Sequence, residues 1–186
     1  MASIAALAVV GVAVASAEVG GLTIDDFSVV GESSLGTRWE GFSDRVMGGI
    51  SMMRAGYERD ADGLVLRMAG DVSLENNGGF IQVRLPLANQ GTFDASSYTG
   101  IVVEVRGVPG SYYVHLRTRN TRLPWQYYAA PIPVSDRWER VEIPFSSFTG
   151  ESTIMSLSTE RLQSLAIVAG NDAFSADISI RRLELY

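Results

Sequence analysis

Past Gly20-Gly21 the chain runs in short bursts of β-branched and aromatic residues, broken at about every tenth position by Gly, Pro, Asn, Asp or Ser. Apolar and polar positions alternate within many of these bursts, so that one face is apolar and the other polar, as a half-buried strand requires. In Leu64-Val65-Leu66-Arg67-Met68 the even positions are apolar. Near the end, Ile178-Ser179-Ile180-Arg181-Arg182-Leu183-Glu184-Leu185-Tyr186 keeps the alternation but changes register after Arg181, which predicts a β-bulge there. The pattern predicts strands over Gly63–Met68, Phe80–Leu85, Ile101–Arg106, Tyr112–Arg119, Tyr127–Ile132, Trp138–Ile143, Leu165–Ala169 and Ala176–Tyr186, with weaker ones around Phe27 and Tyr57. Gly107-Val108-Pro109-Gly110 and Asp60-Ala61-Asp62-Gly63 supply turns. The stretch Gly150–Arg161 reads as an insertion, with a short helical turn near Ser158 capped by Ser158 or Thr159. No long helix is predicted, and the rhythm is that of an all-β sandwich or barrel.

The first residues differ in texture. Met1–Ala17 carries no charged side chain, is rich in Ala and Val, and ends Ala15-Ser16-Ala17 before Glu18. This reads as the apolar stretch and small-residue cleavage site of a signal peptide, so residues 1–21 are set apart from a domain over residues 22–186. An uncleaved anchor is the alternative, although the run is short for spanning a bilayer and Gly11 interrupts it. Cleavage would place the domain in the periplasm or otherwise outside the cytoplasm; without it the protein would be cytoplasmic or membrane-associated.

With 186 residues, 46% of them hydrophobic, the chain suits one domain with its own core. It has no cysteine, which excludes disulfides, thiolate metal sites and a cysteine nucleophile. Against 21 acidic residues stand 15 basic ones, all arginine, and the net charge of −6 argues against nucleic acid as a partner. The single histidine, His115, cannot build a histidine-rich metal site. No Gly-x-Ser-x-Gly elbow occurs, and no pair of carboxylates sits in a recognisable motif. The expectation is a protein that is not an enzyme and needs no metal or cofactor.

Two compact segments stand out. In Trp39-Glu40-Gly41-Phe42-Ser43-Asp44-Arg45-Val46-Met47-Gly48-Gly49-Ile50-Ser51 a polar pair and a double glycine interrupt an apolar stretch. There Asp44 is placed to accept from the backbone amides of a turn, and Arg45 to reach a carboxylate or a ring. Glu75-Asn76-Asn77-Gly78-Gly79-Phe80 supplies residues tolerant of left-handed backbone just before a strand, as in a hairpin or corner. Asn77→Ala or Gly78→Ala is therefore expected to destabilise the fold before it alters binding. Neither glycine pair has the lysine and helix of a phosphate-cradling loop.

In these segments the chain resembles the complex I intermediate-associated protein 30 family, which is marked by a Trp, an Asp-x-Val-Met-Gly-Gly-x-Ser turn, and a Glu-Asn-Asn-Gly-Gly-Phe segment whose strand ends in Val-Arg. Here these are Trp39, Asp44–Ser51, Glu75–Phe80 and Val83-Arg84. Tyr98-Thr99-Gly100-Ile101, Val105-Arg106-Gly107, Leu116-Arg117-Thr118 and Val141–Phe148 continue the resemblance in order, over about Phe27–Tyr186. One departure is Gly107-Val108-Pro109-Gly110-Ser111-Tyr112, where the family usually has Gly-Asp-Gly before the tyrosine. The resemblance implies a galactose-binding-like jelly-roll β-sandwich. It also implies a non-catalytic, protein-binding assembly or chaperone-like role, with respiratory complex I subunits or assembly intermediates as partners. For an exported protein the partner would instead be membrane-embedded or periplasmic.

Alternation along Tyr112–Arg119 places His115, Arg117 and Arg119 on one face with Tyr113. With Trp125, Gln126 and Tyr128 they form the candidate binding face, because aromatic and arginine side chains concentrate in interfaces. The same set suits a sugar lying on a concave sheet. An exported carbohydrate-binding module is thus the alternative function, and a solvated sheet face or a structural histidine the plain reading.

Overall fold

The computed structural model describes residues 20–61 and 63–186, and of Asn77 only the backbone. The predicted signal segment and Asp62 of the predicted turn lie outside the described residues. Twelve strands follow in chain order: β1 Leu22–Asp25, β2 Glu40–Ser43, β3 Met52–Asp60, β4 Gly63–Val72, β5 Phe80–Pro86, β6 Gly100–Gly107, β7 Tyr112–Thr118, β8 Tyr127–Ile132, β9 Glu139–Pro144, β10 Thr149–Glu151, β11 Leu162–Gly170 and β12 Phe174–Leu185. Four one-turn 3-10 segments are the only helical pieces among the described residues. The predicted strands recur with shifted ends. Trp138 falls just outside β9, Phe27 follows β1 rather than lying in a strand, and β2 and β10 were too short for any alternation to announce them.

The strands form two antiparallel six-stranded sheets packed face to face as a jelly-roll sandwich. One sheet runs β3-β4-β12-β6-β9, with β1 beside the far end of β12, and the other runs β10-β8-β7-β11-β5-β2. Alternation decides what goes inward. Ile81, Val83 and Leu85 of β5, Val114 and Leu116 of β7, and Leu165, Ile167 and Ala169 of β11 meet Leu66, Met68, Val103, Val105, Ile178 and Ile180 of the facing sheet in one apolar core. The Tyr112 hydroxyl crosses between sheets to accept from the Asp177 amide at 3.0 Å. The pairing of β12 with β6 skips between Ile180 and Arg182, so Arg181 is the extra residue of the bulge that the sequence predicts.

The two sheets differ on their outer faces. On the first, several arginines are matched to acids: Arg67 to Asp177 and Glu58, Arg181 to Glu104, and Arg140 and Arg182 to Glu184. Arg106 and Arg181 flank the Trp138 ring at 4.8 and 4.6 Å. The outer face of the second sheet carries a cleft instead.

Candidate functional site

The cleft is built by strand register. Along β11 the outward positions are Ser164, Ala166, Val168 and Gly170, all small, and they run down the middle of the sheet. Larger side chains rise from the strands on either side, so the sheet presents a trough. One row across it reads Ala129, His115, Ala166, Arg84 and Glu40, and the next reads Pro131, Tyr113, Val168, Gln82 and Phe42. The trough encloses about 830 Å³, within the range of small-molecule and oligomer sites.

One wall is aromatic. The His115 and Tyr127 rings are stacked, with centroids 4.0 Å apart and planes 11° from parallel, and Tyr113 tilts against His115 at 6.2 Å. Burial pushes the His115 imidazole down to about 4, so it is neutral at physiological pH and works as a ring. Burial, with Glu151 and Tyr113 nearby, raises the Tyr127 phenol. The opposite wall holds Phe42 and Phe80, edge to face at 6.4 Å, with the Arg84 guanidinium over Phe42 at 5.5 Å.

A pH signature follows. Because the folded value of His115 is depressed, the unfolded chain binds a proton near pH 6.5 that the folded protein refuses until about pH 4. Stability is therefore full above pH 6.5 and declines as pH falls toward 4, by roughly 3 kcal/mol at most. His115→Phe is expected to flatten that decline, as read from melting temperatures between pH 4 and 7.5.

The far end of the cleft is formed by the loop before β8. Arg117 donates from one terminal nitrogen to the carbonyls of Thr121 and Leu123, both at 2.9 Å. The Gln126 side chain accepts from the amides of Arg122 and Leu123 and donates to the Ser152 carbonyl. These bonds fix the loop that puts Trp125, 54% exposed, on the rim.

The near end is formed by the two glycine-rich motifs, which are one structural unit. Asp44 opens a 3-10 turn, Asp44–Met47, and is fully buried. Its Oδ1 accepts from the Ser51 amide at 3.0 Å, while Oδ2 accepts from the Ser51 hydroxyl and from the amides of Gly79 at 2.6 Å and Phe80 at 3.3 Å. Burial alone would raise this carboxyl, but the hydrogen bonds from Ser51, Gly79 and Phe80 outweigh it and hold the group below the usual carboxylate range. Close approach explains the glycines: a β-carbon at Gly49 would collide with the Asp44 carboxylate, and one at Gly78 would lie 2.5 Å from its Oδ2. Left-handed backbone falls on Asn76 (φ 55°), Gly48 and Gly79, not on Asn77 or Gly78. Gly78 is thus constrained by a neighbouring carboxylate rather than by strain. The Asn-Asn-Gly-Gly segment is a corner, since it joins β4 of one sheet to β5 of the other. The unit presents Val46 and Met47, 69% and 55% exposed, at the lip of the cleft.

Of the predicted face, His115, Arg117 and Trp125 line the cleft, as do Met47, Gly78, Gly79 and Phe80 of the motifs. Four residues are placed elsewhere. Tyr128 points inward, buried in the core, with its hydroxyl on the carbonyls of Met155 and Ser156, because inward and outward alternate along β8. Arg119 lies beyond the end of β7, exposed, where the alternation no longer holds. Gln126 is spent on its own loop, and Arg45 is exposed on the turn away from the cleft lining. Sequence reasoning missed Phe42, Gln82, Arg84, Tyr127 and Glu151. The period of two in Phe80-x-Gln82-x-Arg84 is the signal that would have found part of this set.

The family model for Complex I intermediate-associated protein 30 matches residues 28–177. No curated protein matches the sequence. Among solved structures, the family 11 carbohydrate-binding module of a cellulosomal cellulase of Clostridium thermocellum is similar at a TM-score of 0.72 and 18% identity, over 91% of this chain and 95% of that one. The same organism's family 11 module in complex with a β-1,3-1,4-mixed-linked tetrasaccharide gives 0.70 and 16%, over 91% and 96%. A family 30 module of another of its cellulosomal cellulases gives 0.64 and 13%, over 89% and 96%.

Proposed function

Since the chain belongs to the Complex I intermediate-associated protein 30 family, we propose that it works by binding rather than catalysis, and that the cleft on its second sheet seats a carbohydrate chain. One observation carries this reading. Small side chains of β11 floor a trough that is walled by stacked rings of His115 and Tyr127 on one side and by Phe42 with Gln82 and Arg84 on the other. Apolar faces beside a few fixed polar arms suit sugar rings, which have apolar faces and hydroxyl edges. Glu151 is the one carboxylate among the described residues lining the cleft, so no pair of acids flanks a glycosidic bond there. The likeness to carbohydrate-binding modules is one of fold and supports the reading only as an analogy.

A second reading keeps the assembly role that the family suggests. It is favoured by Val46 and Met47, two large apolar side chains held out at the lip by the buried Asp44 unit. Such anchors on a rigid support suit a protein partner. The proposal includes export of the domain by its apolar N-terminal residues, with a mature chain beginning near Glu18.

The test is calorimetric titration of the purified domain with a panel of soluble glycan oligomers, together with cross-linking in the native cells. Saturable binding of an oligomer is expected. Absence of glycan binding together with capture of one stoichiometric protein partner would sink the carbohydrate reading and leave the second.

A further inference from the structure

Charge is distributed unevenly between the faces. Arg67, Arg106, Arg140, Arg181 and Arg182 of the first sheet sit against carboxylates, whereas the cleft holds two guanidinium groups that are under-compensated. Arg84 pairs with Glu40 at 2.5 Å. Arg117 appears in none of the salt bridges among the described residues and spends one nitrogen on two neutral carbonyls. The Nε of each is buried without an acceptor, and a buried unsatisfied donor costs about 1–3 kcal/mol unless something completes it.

Register brings the pair together. Arg84 lies opposite Ala166 and Arg117 opposite Ser164, on the two sides of β11. Strand spacing and rise put their backbones roughly 12 Å apart, within joint reach of two arginine side chains over a floor of small residues. Burial, and then the Arg84 charge, lower the Arg117 guanidinium from its ordinary value, so the two cations sense each other. Among the described residues Glu151 is the only acid in the lining; it sits on β10, separated from β7 by β8, and pairs with neither guanidinium.

We infer that this end of the cleft is an anion subsite, and that the saccharide it takes carries a negative charge, either a uronate carboxylate or a sulfate ester. The inference rests on the carbohydrate reading of the cleft and gives its ligand a chemical class. An oxyanion lying over Ser164 and Ala166 would be held between the two planar guanidinium groups by the terminal nitrogen that Glu40 and the loop carbonyls leave over on each. The net charge of −6 does not oppose this, because charges beyond about 8 Å are largely screened at physiological salt.

The experiment titrates the whole domain with oligogalacturonate, a sulfated carrageenan oligomer, the carboxyl-reduced and desulfated counterparts of each, and a neutral mixed-linkage β-glucan oligomer, at low and high salt. The expected result is at least tenfold tighter binding of one charged oligomer than of its uncharged counterpart, with the preference shrinking in salt; which one binds separates carboxylate from sulfate. Arg84→Gln should remove the preference while leaving the melting temperature close to wild type. Glu40→Gln, which frees Arg84 and is not itself a lining residue of the cleft, should strengthen the charged oligomer severalfold and leave neutral ones unchanged. Equal or tighter binding of the uncharged oligomers overturns the anion subsite but keeps the cleft as a sugar site. No saturable binding of any oligomer overturns both.

Discussion

Replacing Asp44 by Asn should lower the melting temperature by about 6–12 °C, the largest loss expected from any isosteric change in the protein. The side chain is fully buried and its two oxygens receive four hydrogen bonds, from the Ser51 amide and hydroxyl and from the amides of Gly79 and Phe80. An amide has one oxygen and one NH₂ group. Turned either way, it sets donor against donor, facing the Ser51 amide in one orientation and those of Gly79 and Phe80 in the other. At 1–3 kcal/mol for each unsatisfied donor the loss is about 3 kcal/mol, and a domain of this size moves roughly 2–4 °C for each kcal/mol. Gly78→Ala should act on the same unit, because its β-carbon would press on Asp44 Oδ2, and combining it with Asp44→Asn should be less than additive. The pH dependence separates this unit from the cleft histidine. The folded value of Asp44 is depressed, so its contribution is complete above the unfolded value near 3.9 and is lost as pH falls through the folded value below that. The His115 decline is finished by about pH 4. Wild-type melting should therefore fall in two stages on acidification, and Asp44→Asn should shrink only the lower one, which the depressed carboxyls of Asp177 and Glu184 share. A melting temperature within 2 °C of wild type would mean that the two motifs are not stitched together by this carboxylate.

The sequence carries its fold through a period of two. Alternation in β4, β5, β7 and β12 states which side chains enter the core, and the phase change at Arg181 states where the ladder slips. Two kinds of information are missing from such a pattern. Strands of three or four residues, such as β2 and β10, have too few positions to alternate, yet they bring Phe42 and Glu151 to the cleft. The shape of the cleft is the other. It depends on β11, Leu162–Gly170, lying between β7 and β5, and nothing local reports that strand order. Ser164, Ala166, Val168 and Gly170 look like an ordinary buried run until their neighbours are known. Tyr128 and Tyr127 show the same limit from another side: adjacent tyrosines are equal in composition, but one is core and the other is wall. What was legible locally was the pair of motifs, because tight turns built around a buried acid constrain residues that are close in sequence.

Ala166→Trp should abolish glycan binding, by at least a hundredfold, while leaving the fold intact. Ala166 sits on the floor of the trough between His115 and Arg84, 5% exposed at the foot of a space of about 830 Å³. An indole there would push the His115 and Arg84 side chains of the walls aside rather than core side chains, so melting should change far less than binding. It would occupy the volume that a sugar ring needs. Tyr127→Ala tests the wall instead of the floor: it strips the ring stacked on His115 at 4.0 Å, and loss of an anchoring ring of 2 kcal/mol or more corresponds to roughly a thirtyfold weaker dissociation constant. Val46→Glu at the lip discriminates between the two functional readings. If the cleft binds glycan, Ala166→Trp and Tyr127→Ala lose titratable binding and Val46→Glu retains it. If the lip holds a protein partner, Val46→Glu loses cross-linked capture, while Tyr127→Ala, deeper in the trough, retains it. Loss of both activities in Ala166→Trp with an unchanged melting curve would mean that one partner fills trough and lip together, as a glycosylated protein would.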